Sequence, residues 1–324
     1  MKRRVLLASI AAAAPSPGVW AQQKAMPVIG FLGSSTSSGA APSYASLLAG
    51  LRDLGYVDGR TIRIESRYAD GSNDRLAAQA AELVGLNVDV IVTYGGAGVI
   101  AARKATETIP IVMAAGPDLV GMGFAASLAR PGGNITGLRY LAGDAFAKRQ
   151  ELLKEVDPSI TQLGVLLLRG NSRFNASTLE SMRAGAEALK LELRPVEASG
   201  PAEYGAAFAA LADGKVRGLV MHDNAQFIAD AKAIAALAVQ HRLRSIGSLE
   251  HAASGGLMGY SVDFPKLFYR SAYFIDKILK GTKPGDLPIE QPTKMHFIIN
   301  LRTARSLGLT VPPLPLARAD EVIE

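Results

Sequence analysis

The sequence predicts an α/β fold of two doubly wound parallel-sheet lobes that are joined by a three-strand hinge. Short apolar runs alternate with segments of helical period, which is typical of parallel sheets covered by helices on both faces. The alternation forms two consecutive series of similar length, with no sequence repeat between them. The chain has 324 residues, which is more than one hydrophobic core usually serves. Two lobes are therefore expected.

The first series begins with a strand predicted over 28–32. A loop of small residues follows it, and then a helix whose apolar positions share one face until Gly55 ends it. The other strands predicted in this series are 62–66, 88–93, 109–114 and 135–138, and the other helices are 74–86, 99–106 and a segment around 124–129.

The second series begins after Asp157 and Pro158. Its predicted strands are 163–168, 193–197, 218–221 and 244–246, and its predicted helices are 178–190, 202–212 and 228–242. The tail adds a strand over 257–261, an amphipathic helix over 267–279 that Asp263 and Pro265 begin, a strand over 295–300 and a helix over 301–307.

A proline-rich segment, 283–292, interrupts this tail. We expect the chain to cross back to the first lobe near Tyr260 and to return through that segment, which makes three crossings. The predicted N-terminal lobe comprises 22–138 and 261–284. The predicted C-terminal lobe comprises 139–260 and 285–324.

The first 21 residues have the order of an export signal. Lys2, Arg3 and Arg4 precede an apolar run over 5–14, and small residues around Ala21 suit a signal peptidase. We expect cleavage after Ala21, by a general secretory or a twin-arginine route. The run is too short for a membrane anchor, and no cysteine is available to carry a lipid. The sequence therefore predicts a freely diffusing periplasmic protein.

Signals for catalysis are missing from the sequence. There is no cysteine nucleophile, no Gly-x-Ser-x-Gly motif, and no metal-ligand spacing among the four histidines. The net charge of +6 is mild, and no basic block with interleaved aromatic residues suggests a nucleic-acid surface. We expect a protein that is not an enzyme, has no cofactor or metal, and binds no nucleic acid.

Two glycine-rich loops suggest nucleotide binding only superficially. The loop 95–98 follows a strand and opens a helix, but it lacks the third glycine of a dinucleotide fingerprint. The loop 33–39 lacks the lysine of a phosphate loop. Its hydroxyls and backbone N–H groups at a helix N-terminus suit a carboxylate.

Ligands of open α/β sheets bind at the carboxyl ends of the strands, so the strand ends define the candidate site. The candidate residues are Ser34, Ser35, Thr36, Tyr94, Gly95, Ala115, Asp118, Tyr140, Asn171, Asn175, Asp223, Glu250 and Tyr260.

These residues also have structural alternatives, which are clearest for four of them. Asp223 either caps a helix or pairs with a ligand ammonium group. Asn171 and Asn175 either form turns or contact the ligand, and Asp118 either starts a helix or contacts it. Tyr94, at a strand end before glycines, favours a ring that lines a cleft.

Several segments resemble the periplasmic components of ABC import systems, a group that includes tryptophan-binding relatives. The segments that carry the resemblance are 128–137 (LARPGGNITG), 255–258 (GGLM), 278–284 (ILKGTKP), 287–293 (LPIEQPT) and 317–324 (ARADEVIE). Their order extends over nearly the whole mature chain. Two segments depart from the family pattern, Arg139-Tyr140 and 248–251, so the ligand need not be tryptophan.

The resemblance implies a type I periplasmic-binding fold that captures an amino acid or a similar small solute between its lobes. It also implies that Ser34, Ser35, Asp223 and the loops of Tyr94, Ala115 and Asn171 face the ligand. The implied partner is an ABC permease of the inner membrane, and we expect a monomer. A ligand-presenting partner of a membrane receptor, the effector domain of a regulator and a secreted α/β enzyme remain alternatives.

Overall fold

The computed structural model describes residues 26–140, 142–170, 172–292 and 294–324, and the predicted signal peptide lies outside them. Two parallel-dominated sheets confirm the predicted fold. The first comprises β1 (Val28–Gly33), β2 (Arg63–Tyr68), β3 (Val90–Tyr94), β4 (Ile111–Gly116) and β5 (Ile135–Arg139). Its strands are all parallel, in the order β2-β1-β3-β4-β5.

The second sheet has seven strands. They are β6 (Gln162–Leu168), β7 (Glu192–Ala198), β8 (Gly218–Met221), β9 (Arg244–Gly247), β10 (Met258–Ser261), β11 (His296–Asn300) and β12 (Glu321–Ile323). Their order is β12-β11-β10-β9-β8-β6-β7, and only the β10–β11 pair is antiparallel among the described pairs.

Helices cover both faces of each sheet. They are α1 (Ser37–Asp53), α2 (Asn73–Gly85), α3 (Gly95–Ala105), α4 (Ala142–Val156), α5 (Ser172–Ala188), α6 (Pro201–Asp213), α7 (Ala225–Ala229), α8 (Ala231–Gln240), α9 (Leu249–Ala253), α10 (Phe264–Leu279), α11 (Leu301–Ser306) and α12 (Pro313–Arg318). No helix of the described residues is both long enough and apolar enough to cross a bilayer.

Helix α10 belongs to the first lobe although it follows the strands of the second. Asp263 caps it by accepting the N–H of Lys266 at 3.0 Å, and Pro265 lies in its first turn, which confirms the predicted start. Its apolar face, including Phe268 and Ile275, is buried in the same cluster as Phe31 of β1. Burial of that face holds the tail on the first lobe.

The chain passes between the lobes three times, after β5, after β10 and before β11. The last passage comes later than the predicted boundary at 284. The Thr136 hydroxyl donates to the Leu287 carbonyl at 2.7 Å, and the Glu290 N–H donates to the Gly137 carbonyl at 2.9 Å. These bonds keep the segment 285–290 beside β5 in the first lobe.

One predicted helix is wrong and another is divided in two. The segment 124–129 forms turns, because Gly123 takes a left-handed φ of +73° and the Phe124 N–H turns back to the Leu119 carbonyl at 2.8 Å. The helix predicted over 228–242 is instead α7 and α8, which meet at Asp230. Helix α4 was not predicted at all.

His251, in α9, is a fully buried residue of the second lobe. Its Nε2 lies 2.8 Å from the Ser245 hydroxyl, and Gly256 packs so closely on the ring that a Cβ there would overlap it. Burial lowers the pKa of His251 to about 3. The folded protein therefore holds a neutral imidazole through the whole physiological range.

This histidine should make the protein less stable in mild acid. Below an unfolded pKa of about 6.5 the unfolded chain takes up a proton at this residue that the folded chain does not, so the contribution of His251 to the free energy of unfolding should fall by about 2 kcal/mol between pH 7 and pH 5. Urea unfolding at both pH values checks this. His251→Gln should remove that part of the pH dependence, whereas His296→Gln should keep it. A parallel decline in wild type and His251→Gln would contradict the assignment.

Candidate functional site

A cleft of about 470 Å³ lies between the two lobes. It is formed by loops at the carboxyl ends of the first-lobe strands, by α10, and by α4, α5 and the loop after β8 in the second lobe. This is the location expected for a ligand site in two facing α/β sheets.

Many of the predicted residues come together in this cleft. Those that line it are Ser34, Ser35, Tyr94, Gly95, Ala115, Asp118, Tyr140 and Asp223. They come from distant parts of the chain, and the strand-end rule alone identified most of them.

Four predicted residues that the structure describes do not line the cleft, namely Thr36, Asn175, Glu250 and Tyr260. The Thr36 hydroxyl instead caps α1 by accepting the Gly39 N–H at 3.1 Å. Asn175 is buried and donates to the Leu168 carbonyl at 2.9 Å, so it holds a loop in place. Glu250 lies in the first turn of α9, where burial raises the pKa of its carboxyl. Asn171 lies outside the described residues.

Tyr260, the fourth, lies on β10 beside the cleft. Its ring packs edge-on against Phe297 of the second lobe, with the centroids 6.3 Å apart. Its backbone carbonyl accepts two hydrogen bonds from Arg149, at 2.9 and 2.7 Å. Tyr260 therefore contributes to the hinge through its backbone.

Asp223 forms a buried ion pair with Arg149 and is not free for a ligand ammonium group. The Arg149 Nη2 donates to both carboxylate oxygens, at 2.8 and 2.7 Å, and the two side chains are 0% and 1% exposed. The Tyr140 hydroxyl donates to the same carboxylate at 2.5 Å. Burial and the Asp223 charge both raise the pKa of Tyr140 well above its ordinary value.

The remaining donors of Arg149 bind backbone carbonyls. Nη1 donates to Met221 at 2.9 Å and Nε donates to Tyr260. Burial alone would lower the pKa of Arg149, but the Asp223 carboxylate raises it overall. One guanidinium thus joins α4, the end of β8 and the end of β10, where the chain passes between lobes.

The first-lobe wall of the cleft is aromatic. The Tyr94 hydroxyl lies 2.9 Å from the Ser35 hydroxyl, and its ring packs edge-on against Phe268 at 5.1 Å. Burial raises the pKa of Tyr94. Helix α3 begins at Gly95 without a side-chain cap, so its first N–H groups are available at the cleft.

The second-lobe wall combines a ring stack with unpaired polar atoms. Phe146 stacks on His222 with centroids 5.6 Å apart and planes at 19°. Burial lowers the pKa of His222 to about 4, and its Nδ1 has no partner among the described residues. The Asn224 Oδ1 accepts the Phe227 N–H at 2.9 Å, while its Nδ2 has no described partner.

Asp118 is the cleft carboxylate that solvent and ligands can reach. Arg139 donates to its Oδ1 at 3.0 Å, yet the Asp118 side chain stays 43% exposed. Since Asp223 is enclosed, Asp118 is the carboxylate better placed for a cationic group. No set of three His, Asp or Glu side chains converges as metal ligands in the part of the chain that the structure describes.

Sequence reasoning missed several cleft residues. Phe146 lies on the unpredicted α4, and Phe268 lies on α10, which looked like a tail helix. The apolar period before Asp157 was a signal for α4 that went unused. The pairing of Arg149 with Asp223 had no local signal, because 74 residues separate them.

Removing Arg149 should strongly destabilise the protein. Arg149→Met leaves the Asp223 charge buried without its partner, which costs about 3–5 kcal/mol of unfolding free energy. The matched control is Arg183→Met, since Arg183 pairs with Glu180 on the surface of α5 and should change little. Urea unfolding measures both. Similar free energies for the two variants would show that the buried pair does not hold the hinge.

The sequence matches a family model described as ABC transporter substrate binding protein over residues 36–323. Among curated relatives, the tyrosine-binding protein of Clostridioides difficile strain R20291 is 28% identical over 262 residues, covering 80% of this chain and 74% of the relative.

Solved structures show the same fold. A conserved domain protein from Vibrio cholerae superposes with a TM-score of 0.84 at 26% identity, covering 92% of this chain and 99% of the other. An ABC domain in complex with L-Trp from Streptococcus pneumonia superposes with a TM-score of 0.81 at 23% identity and the same coverage. The two-lobed architecture is therefore that of type I periplasmic-binding proteins.

Proposed function

Because this chain belongs to the ABC transporter substrate binding protein family, we propose that it captures an aromatic amino acid, or a similar small solute, for an import system of the inner membrane. The observation that carries the proposal is the interlobe cleft of about 470 Å³, with aromatic rings on both walls and, in the second-lobe wall, two polar side chains that each keep one atom without a described partner. Clefts of about 300–1,000 Å³ are typical of small-molecule sites. A relative named for tyrosine binding supports the same ligand class.

The polar groups of the cleft suit a zwitterion. Asp118 would accept from the ammonium group, since its carboxylate is half exposed and Arg139 occupies only one oxygen. The carboxylate would be met by the uncapped N-terminus of α3 and by the Asn224 Nδ2. The side-chain ring would lie among Tyr94, Phe268 and the Phe146–His222 stack.

The cleft supports binding and not catalysis. Its charged groups are engaged with each other, Asp223 with Arg149 and Asp118 with Arg139. The His222 Nδ1 has no hydrogen-bond partner among the described residues, so it is not paired with a nucleophile there. We infer that capture and release are the whole activity.

Import would follow from closure of the hinge. A ligand that contacts both walls binds the closed arrangement better than the open one and shifts the population toward it. The permease would recognise the closed shape. The same mechanism would serve a membrane receptor, and export through the signal predicted over 1–21 would bring this protein to either partner.

A thermal-shift screen tests the ligand class. The mature protein is heated with amino acids, aromatic acids lacking an amino group, and purines. Aromatic amino acids should raise the melting temperature, because a ligand at 100 times its dissociation constant adds about 2.7 kcal/mol of stability. Calorimetry then gives the affinity. A response to purines or sugars without a response to aromatic amino acids would reject this ligand class.

Asp118→Asn should weaken binding of an aromatic amino acid by about tenfold or more, because a charged hydrogen bond contributes roughly 1.5–3 kcal/mol. Calorimetry with the amino acid and with the analogue that lacks its amino group measures this. The analogue should bind both proteins equally. Asp213→Asn, at the exposed end of α6, is the control with the same charge change. Equal losses for ligand and analogue would remove Asp118 from the ammonium site.

A further inference from the structure

Helix α7 of the second lobe contacts the first lobe directly at the cleft. Ala225 and Ile228 pack against the first-lobe core cluster that contains Phe31 and Phe268. Residues at i, i+3 and i+4 share one face of a helix, so Ala225, Ile228 and Ala229 present a single small apolar surface.

Helix α7 packs against two glycines of the first lobe, Gly39 and Gly71. A Cβ built at Gly39, in the first turns of α1, would overlap the Cβ of Ala229 and lie 3.4 Å from its Cα. A Cβ built at Gly71, in the loop after β2, would lie 2.9 Å from the Gln226 Oε1. At Gly39 the two lobes therefore approach at a distance that only glycine permits, whereas at Gly71 a side chain would have to displace the Gln226 amide.

Helix α7 is held rigidly in its own lobe. Phe227 is fully buried there and packs edge-on against Tyr204. The Gln226 Nε2 donates to the Asp230 carboxylate at 2.7 Å, and the Tyr204 hydroxyl donates to the same oxygen at 2.6 Å. These bonds fix the side chain that meets Gly71.

We propose that the contact of α7 with Gly39 and Gly71 is a built-in stop that sets how far the cleft closes. The contact uses protein atoms of both lobes and needs no ligand. Its effect on affinity rests on the proposed function, since ligand binding is what the closed form would stabilise. A side chain larger than hydrogen at position 39 would hold the lobes apart and disfavour the closed form.

Disulfide trapping tests the contact without any ligand. The natural chain has no cysteine, so Gly39→Cys combined with Ala229→Cys carries the sole thiol pair. Disulfides need Cβ atoms about 3.8 Å apart, and a small movement of α7 away from Gly39 gives this separation. The control pair is Gly85→Cys with Gly205→Cys, one in each lobe and both facing open space.

Mild oxidation should convert most of the first pair to an intramolecular disulfide, seen by electrophoretic mobility and thiol titration, and should leave the control pair reduced. Absence of the disulfide from the first pair, or equal oxidation of both pairs, would overturn the proposed contact.

Gly39→Ala tests the consequence for binding, with L-tyrosine and L-tryptophan as probes in calorimetry. Alanine is a better helix former than glycine, so the free protein should melt at the same or a higher temperature while affinity falls at least tenfold. The control, Gly205→Ala in α6, should keep its affinity. An unchanged affinity of Gly39→Ala would overturn the role of the contact in closure. If wild type binds neither probe while the disulfide forms, the proposed ligand class fails and the contact stands.

Discussion

The buried pair of Arg149 and Asp223 constrains the rest of this molecule. Taking two charges out of water is costly, and the cost is met only when every donor and acceptor finds a partner. Here the guanidinium binds the Asp223 carboxylate and the carbonyls of Met221 and Tyr260, while Tyr140 donates to the same carboxylate. Tyr140 follows the first passage between lobes and Tyr260 precedes the second. The pair therefore connects two of the three chain segments that pass between the lobes.

The same pair determines the electrostatics of the cleft. With Asp223 neutralised by Arg149, the cleft is left with a half-exposed Asp118, an uncapped helix N-terminus and neutral side chains. His222 stays neutral because burial lowers its pKa to about 4. A cleft of this kind favours ligands whose own charges cancel, because it has no group of opposite charge to pair with each charge of a multiply charged ligand. This charge balance is the physical basis for proposing a zwitterion, and not a phosphate or a metal ion, as the ligand.

How much the sequence could predict depended on how local each signal was. Strand ends such as Ser34, Tyr94 and Asp118 follow buried apolar runs directly, so periodicity and the strand-end rule located them. The buried position of Arg149 was not predicted, because a single arginine in a charged segment is usually a surface residue and its partner is 74 residues away. The role of Asp223 was misjudged for the same reason. The helix predicted over 124–129 failed because the left-handed backbone of Gly123 begins a turn there in spite of the apolar period.

One short stretch after β8 links the hinge, the cleft and the lobe contact. Asp223 belongs to the buried pair, Asn224 faces the cleft and caps α7, and Gln226 and Ala229 meet the first lobe. Asn224 lies only one residue from the ion pair and five from Ala229, so the backbone itself couples the three. A displacement of α7 at the lobe contact must move the Asn224 amide relative to the rest of the cleft lining. The lobe contact and the cleft wall are therefore joined through a few covalent bonds, and no long network of side chains is required.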